Sequence, residues 1–277
     1  MTITSKSLQA EMSLEGAEPE LFEMYHENSK LGRLDFPLPT EVVVAVMGRM
    51  AESLKYEQTN LMPLPKPEEM ERLSMPLEDA ITKRTSAREF SAEPVPISYL
   101  ASILHHAYGI NRDNKETGFN RAFRNAPSGG ALFPLEIYFT AANVKGLAPG
   151  LYHYSPEANE VKLIGGDEKI KPLASALMQL DISTTAAFTV FITAIFERTV
   201  FKYRDRGYRF ILLEAGHVAQ NLNLAGEALG VGTVNVGGYI DREVDEHLGL
   251  DGVAQSTVYV ICGGMKKNNG QNAPQAL

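Results

Sequence analysis

The chain has 277 residues, 44% of them hydrophobic, with a formal net charge of −8 and a pI near 5.4. That is long for one domain and short for two, with enough apolar residues for a sizeable core. The acidic balance argues against nucleic-acid binding, which needs a basic face, and the single Cys262 excludes an internal disulfide and a cysteine-based zinc site.

The six histidines (26, 105, 106, 153, 217 and 247) show no HExxH or His-x-His spacing, so no metal is expected. No secretory signal is legible, and the longest apolar segment, Thr184 to Phe196, is too short to cross a bilayer. These features read as a soluble, cytoplasmic protein with no membrane contact.

Residues 1–20 are acidic and read as partly disordered. Leu21 to Lys30 reads as a short helix, and Thr40 caps a second that covers Val42 to Met47 and runs to about Leu54. Met62-Pro63-Leu64-Pro65-Lys66-Pro67 reads as an extended linker, because each proline biases its predecessor away from helix. It marks the boundary between an N-terminal extension, 1–75, and a domain, 76–267, with a loose tail over 268–277.

Leu77 to Thr82 is a short helix that leads into Arg84-Thr85-Ser86-Ala87-Arg88-Glu89-Phe90, whose arginines and hydroxyls suit a phosphate clamp. Pro96 starts a helix with Ile97, Leu100, Ile103, Leu104 and Ala107 on its apolar face. Asn111 to Arg124 reads as a mobile loop. The stretch Pro127-Ser128-Gly129-Gly130-Ala131-Leu132-Phe133-Pro134 is either an ordinary tight turn or a place where bare backbone approaches a flat ligand. The strand Leu135 to Ala141 follows, then a hairpin of Leu151–Tyr154 and Val161–Ile164, a helix over Pro172–Leu180, and a continuous apolar strand, Thr189 to Phe196, buried on both faces.

The run Phe201-Lys202-Tyr203-Arg204-Asp205-Arg206-Gly207-Tyr208-Arg209 admits two readings. It is a solvated basic turn, or a site in which lysine and tyrosine move a proton and arginines grip an anion. A long helix follows from about Phe210, with Ile211, Ala215, Val218, Leu222, Ala225 and Leu229 on one face and Glu214, His217 and Asn221 on another; His217 reads as a satisfied core histidine. Gly230 to Gly238 holds four glycines without dinucleotide-fingerprint spacing, which excludes a Rossmann reading. Asp241 to Leu248 reads as a capped helix and Ser256 to Cys262 as a last strand, leading to Lys266-Lys267.

The segments at 84–90, 127–134 and 201–209, with Glu-Ala-Gly-His-Val-Ala-Gln-Asn at 214–221, resemble the nitroreductase-like flavoproteins over about Leu77 to Lys267. The Lys-Tyr segment, with Met24-Tyr25-His26-Glu27 near the start, resembles the SagB-type dehydrogenases among them, the azoline oxidases of thiazole/oxazole-modified peptide biosynthesis. The resemblance implies an α+β fold with a central mostly antiparallel sheet flanked by helices, and a homodimer with FMN at the subunit interface. It implies that Arg84, Ser86 and Arg88 contact the phosphate, ribityl chain and ring edge of the FMN, that Lys266 meets the phosphate, that Pro127, Ser128 and Gly129 line the ring near its reactive nitrogen, and that Gly237 and Gly238 lie along its other side. It assigns Lys202 and Tyr203 to proton transfer. The implied reaction aromatises a thiazoline or oxazoline of a peptide or carrier-bound intermediate, with hydride passing to FMN and electrons to O2, and the implied partner is a cyclodehydratase or synthetase complex. Two rival readings stand: an NAD(P)H-dependent nitro- or quinone reductase of the same fold, and a non-catalytic scaffold subunit of a cyclodehydratase complex.

Overall fold

The computed structural model describes residues 20–33, 38–51, 54, 60–114 and 121–267. The expected looseness of the first nineteen residues and of the tail from Asn268 lies outside the described residues. The helices that matter for the site are α1 (Leu21–Asn28), α2 (Thr40–Met47), α3 (Leu77–Lys83), α4 (Ile97–Tyr108), α5 (Glu197–Tyr203), α6 (Asp205–Ala228) and α7 (Asp241–Leu248).

Among the described residues the main sheet has seven strands: β1 (Leu61–Pro63), β2 (Leu135–Ala141), β3 (Gly150–Ser155), β4 (Glu160–Gly165), β5 (Phe188–Ile195), β6 (Val231–Val236) and β7 (Gln255–Met265). Their spatial order is β1-β4-β3-β2-β5-β7-β6, and every pairing is antiparallel. The expected α+β class with a central antiparallel sheet is what the chain forms.

Side chains alternate across this sheet. Ile137, Phe139, Val190, Ile192 and Ile261 enter one core with α4 and α6, while Tyr138, Phe191, Val260 and Cys262 enter a second core with Leu173, Leu177 and Val244. Cover on both faces is why β5 reads as an unbroken apolar run rather than as alternation. On α6, Ile211, Ala215, Val218, Leu222 and Ala225 turn inward, and the small residues let its backbone approach β6 closely.

Several boundaries differ from the sequence reading. The basic run is not a turn: α5 ends at Tyr203, Arg204 alone breaks the helix with φ +50° and ψ −139°, and α6 begins at Asp205 rather than near Phe210. Leu61–Pro63 does not lie outside the fold but pairs with β4 as an edge strand, a place that tolerates proline, and Leu64 and Met70 are buried behind it. The glycine-rich 231–236 segment is a strand, in which Gly232 admits the Ala87 methyl group. Pro172–Leu180 is interrupted: helix covers Ile170–Ser175 and Leu180–Ser183, and Leu177 between them bridges to Tyr239. The Asn111–Arg124 segment, outside its undescribed residues 115–120, carries two short paired strands, Ile110–Arg112 and Phe123–Arg124. No helix among the described residues is long and apolar enough to cross a membrane.

Gly263 of β7 pairs with Phe188 of β5, and a methyl group there would overlap the Phe188 ring, itself fully buried. Gly263→Ala is expected to destabilise the fold by about 1–3 kcal/mol through overpacking, read as a lower urea midpoint with unchanged slope.

Candidate functional site

The Pro127–Pro134 segment is a tight, internally bonded turn. Gly130, Ala131 and Phe133 have φ of +68°, +53° and +46°, a region only glycine enters without cost. The turn is held from several sides: Phe133 N–H donates to Ser128 Oγ at 2.9 Å, Arg121 donates to Leu132 O at 3.1 Å, and Asn125 Nδ2 donates to His105 O at 2.7 Å. A cavity of about 550 Å³ opens on this turn beside Arg112, Phe123 and Arg124.

Helix α5 delivers its last two side chains to the same place. A Cβ on Gly130 would lie 2.6 Å from Tyr203 Oη and 2.8 Å from Lys202 Nζ, so both polar atoms converge on backbone that carries no side chain. The Tyr203 ring is fixed edge-on against Phe210, with centroids 4.9 Å apart, and Lys202 Nζ lies 5.1 Å from the Tyr203 ring centre. From the N-terminal extension, Val43 and Met47 of α2 pack with Leu132 against Phe201 and Tyr203. Two stretches some 70 positions apart, singled out separately in the sequence, thus meet.

Two buried polar assemblies hold this geometry. In the first, Glu136 of β2 pairs with Arg198 of α5 at 2.7 Å and with His153 of β3 at 2.8 Å. Burial alone would raise the Glu136 carboxyl, but the His153 hydrogen bond and the Arg198 charge outweigh it and hold it below the usual range. In the second, Tyr108 Oη donates to Glu214 Oε1 at 2.9 Å, and the Arg124 guanidinium lies 4.3 Å from the Tyr108 ring centre while bonding Glu157 at 2.6 Å. Burial pushes Glu214 up to about 7, against the opposing effects of Ser128, Tyr108 and Arg124. Among the described residues no group meets Glu214 Oε2 with good hydrogen-bond geometry, although the Ser128 hydroxyl lies beside the carboxyl. Glu214 also lines a second cavity of about 240 Å³ with Ser128, Gly129, Phe210 and His217.

Some expectations are corrected here. His217 is not a core histidine; it is exposed at the mouth of the smaller cavity. Arg206 and Arg209 do not offer a free anion site: Arg206 donates to Ser29 O at 3.0 Å and Arg209 to His26 O at 2.6 Å, so both bind the end of α1. Sequence reasoning passed over Arg121, Arg124, Glu136 and Arg198. A carboxylate inside the apolar β2 was the one available signal for a buried pair.

The remaining predicted residues form a separate group. The Arg84–Phe90 segment runs beside β6 and β7, with Ser86 bridged to Thr233 and Phe90 bridged to Lys266. The side chains of Arg84, Ser86 and Arg88 make no hydrogen bond or ion pair among the described residues. Lys266 is held by Glu227 at 2.6 Å. Gly238 accepts from Met178 N–H at 2.9 Å, and Gly237 faces open space. No hydrogen bond or ion pair among the described residues joins this group to the Pro127–Gly130 turn.

A model of the nitroreductase family matches residues 81–264. The chain is 40% identical over 172 residues to MJ1384 of Methanocaldococcus jannaschii, a protein named as a nitroreductase, covering 62% of this chain and 83% of that one. It is 28% identical over 225 residues to the microcin B17-processing protein McbC of Escherichia coli, covering 75% of this chain and 80% of that one. Among solved structures it is similar to the E. coli microcin synthetase McbBCD complex with truncated pro-MccB17 bound, with a TM-score of 0.56, 22% identity, and coverage of 94% of this chain and 87% of that one. At that identity the likeness is one of fold.

The raised Glu214 carboxyl carries a stability consequence whose sign is fixed. Its folded-state pKa, about 7, exceeds the ordinary 4.5, so its contribution is full below 4.5 and is lost as pH rises through 7. Wild type is expected to lose roughly 3 kcal/mol relative to Glu214→Gln between pH 4.5 and pH 8, measured by urea unfolding at both pH values.

Proposed function

This chain belongs to the nitroreductase family, and from that premise we propose that it is an FMN-dependent oxidoreductase that turns thiazoline or oxazoline rings into thiazole or oxazole. The substrate is a peptide or carrier-bound intermediate. The observation that carries this reading is the meeting of Lys202 Nζ and Tyr203 Oη over the bare Gly130 backbone. A nitro- or quinone reductase needs no substrate base there, and a non-catalytic scaffold needs neither group. That McbC is named for processing microcin B17, and that the fold is shared with a microcin synthetase complex, supports a peptide substrate and a role beside cyclodehydratase or synthetase subunits.

The residues fit FMN. The Pro127–Gly130 turn lines both cavities and carries the Ser128 hydroxyl, Arg84, Ser86 and Arg88 offer uncommitted donors, and Lys266 follows the strand beside them. In this reading Arg84, Ser86 and Arg88 contact the phosphate, ribityl chain and ring edge, Lys266 meets the phosphate, Pro127, Ser128 and Gly129 line the ring, and Gly237 and Gly238 lie along its other side. FMN held there would supply hydride-accepting chemistry, with dioxygen as the final electron acceptor.

Lys202 or Tyr203, in its deprotonated form, removes the proton from the ring carbon alpha to the carbonyl. Phe210 fixes the Tyr203 ring, and the Arg198–Glu136 pair fixes the helix that carries both groups. That no hydrogen bond or ion pair among the described residues joins the cationic segment to the turn is in keeping with a site completed by a second copy. So is the open side of α6, where Leu212 and Leu213 are 41% and 60% exposed.

The isolated protein is expected to be yellow, to carry about one FMN per chain, and to have the mass of two chains by light scattering at micromolar concentration. Arg84→Ala should weaken FMN retention by roughly 1.5–3 kcal/mol, the usual worth of a charge-assisted contact, measured by equilibrium dialysis. Colourless protein that gains no flavin absorbance with added FMN refutes the cofactor assignment.

Tyr203→Phe and Lys202→Ala test the chemistry. Loss of the base should lower kcat for azoline oxidation by about 10²–10⁴-fold, followed by the mass loss of two hydrogens per ring. FMN content should be unchanged, and dithionite reduction with air reoxidation should be retained. Near wild-type turnover in both variants contradicts the assignment and favours the reductase.

A further inference from the structure

Glu214 is a buried carboxyl that the proposed chemistry does not use, and its surroundings give it a specific task. Only 2% of the residue is exposed, yet it lines the smaller cavity with Ser128 and Gly129. Tyr108 from α4 donates to Oε1 at 2.9 Å, Oε2 has no hydrogen-bond partner among the described residues, and the Ser128 hydroxyl lies beside the carboxyl. The other polar and charged groups around it are Arg124, stacked on Tyr108, and His217, one turn along α6 at the cavity mouth.

Ser128 Oγ has one O–H and two lone pairs, and one lone pair already accepts Phe133 N–H at 2.9 Å. The O–H and one lone pair remain. An ionised Glu214 can only accept, so it draws the Ser128 O–H inward. A protonated Glu214 donates from Oε2 to the free lone pair, and the Ser128 O–H is released toward the cavity.

We propose that Glu214 is a positioning residue that acts through Ser128: protonated, it turns the Ser128 hydroxyl outward to donate to an acceptor atom of the flavin ring on the Pro127–Gly130 turn, and ionised, it takes that hydroxyl back. The inference rests on the flavin reading above. Burial raises the Glu214 carboxyl to about 7, so the change of state falls near neutral pH.

The test is titration of apoprotein with FMN between pH 5.5 and 8.5, followed by quenching of flavin fluorescence. Wild-type Kd should rise about three- to tenfold as pH passes through neutrality, the worth of one neutral hydrogen bond. In Glu214→Gln, whose amide always donates, this step should vanish. In Ser128→Ala the step should also vanish, with affinity at every pH near the weak, high-pH wild-type level. Tyr108→Phe removes a bond that favours the ionised carboxylate and should move the step to higher pH, which keeps the inference testable should the glutamine variant fail to fold. Titration of the FMN phosphate is common to all variants and cancels in their differences.

A flat wild-type profile, or a step unchanged in Glu214→Gln or in Ser128→Ala, overturns this inference and leaves the flavin reading standing. Absence of quenching at every pH overturns the flavin reading itself, and this inference with it.

Discussion

The buried pair between Glu136 and Arg198 is the constraint on which the site depends. Glu136 is the second residue of the strand that follows the Pro127–Pro134 turn, and Arg198 is the second residue of the helix that ends in Lys202 and Tyr203. Their 2.7 Å contact therefore fixes the distance between the turn and the polar pair. Both groups are nearly inaccessible, and removing either partner of such a pair leaves an uncompensated charge at a cost of about 3–5 kcal/mol. His153 and the Leu54 N–H occupy further lone pairs of Glu136, which makes burial of the carboxylate tolerable.

Backbone strain concentrates where those two elements meet. The turn has Gly130, Ala131 and Phe133 at positive φ, and the chain turns the corner between α5 and α6 through Arg204, also at positive φ. Each non-glycine in that region costs on the order of 1–3 kcal/mol and persists only where its surroundings over-determine it. The surroundings here do so: Ser128 and Arg121 bond the turn, while Gly207 lies close enough to Val200 for the two helices to touch at the corner. The strain brings Lys202 and Tyr203 over bare backbone, an arrangement that unstrained continuation of α5 into α6 would not give.

Much of this was legible in the sequence, for reasons that differ by element. Helix α6 and strand β5 are long and strongly patterned, so periodicity found them. The Pro-Ser-Gly-Gly and Lys-Tyr stretches stood out through unusual local chemistry. The break at Arg204 was not legible, because neither glycine nor proline marks it and only tertiary packing holds the residue there. Strand β6 was hidden by the glycines that let Ala87 approach, and β1 by the prolines that an edge position tolerates. The Tyr108–Glu214 bond joins residues 106 positions apart, and no local pattern reports such a contact. The face of α6 that carries Glu214 and His217 was read as one strip, whereas packing divides it, with the glutamate inside and the histidine outside.

The N-terminal extension belongs to the same construction. Tyr25 of α1 stacks edge-on against Tyr208 with centroids 5.6 Å apart, and Arg206 and Arg209 reach back to the carbonyls of Ser29 and His26 at the end of that helix. Cations at a helix C-terminus meet the negative end of its dipole, so these contacts gain from charge as well as from hydrogen bonding. Helix α2 closes the other side, with Val43 and Met47 against Tyr203 and with the carbonyls of Met47 and Met50 held by Arg121, which also holds Leu132 in the turn. Two arginines that look in the sequence like a ligand grip are thus spent on internal docking. The corner carrying Lys202 and Tyr203 is consequently braced by the extension as well as by the domain's own core.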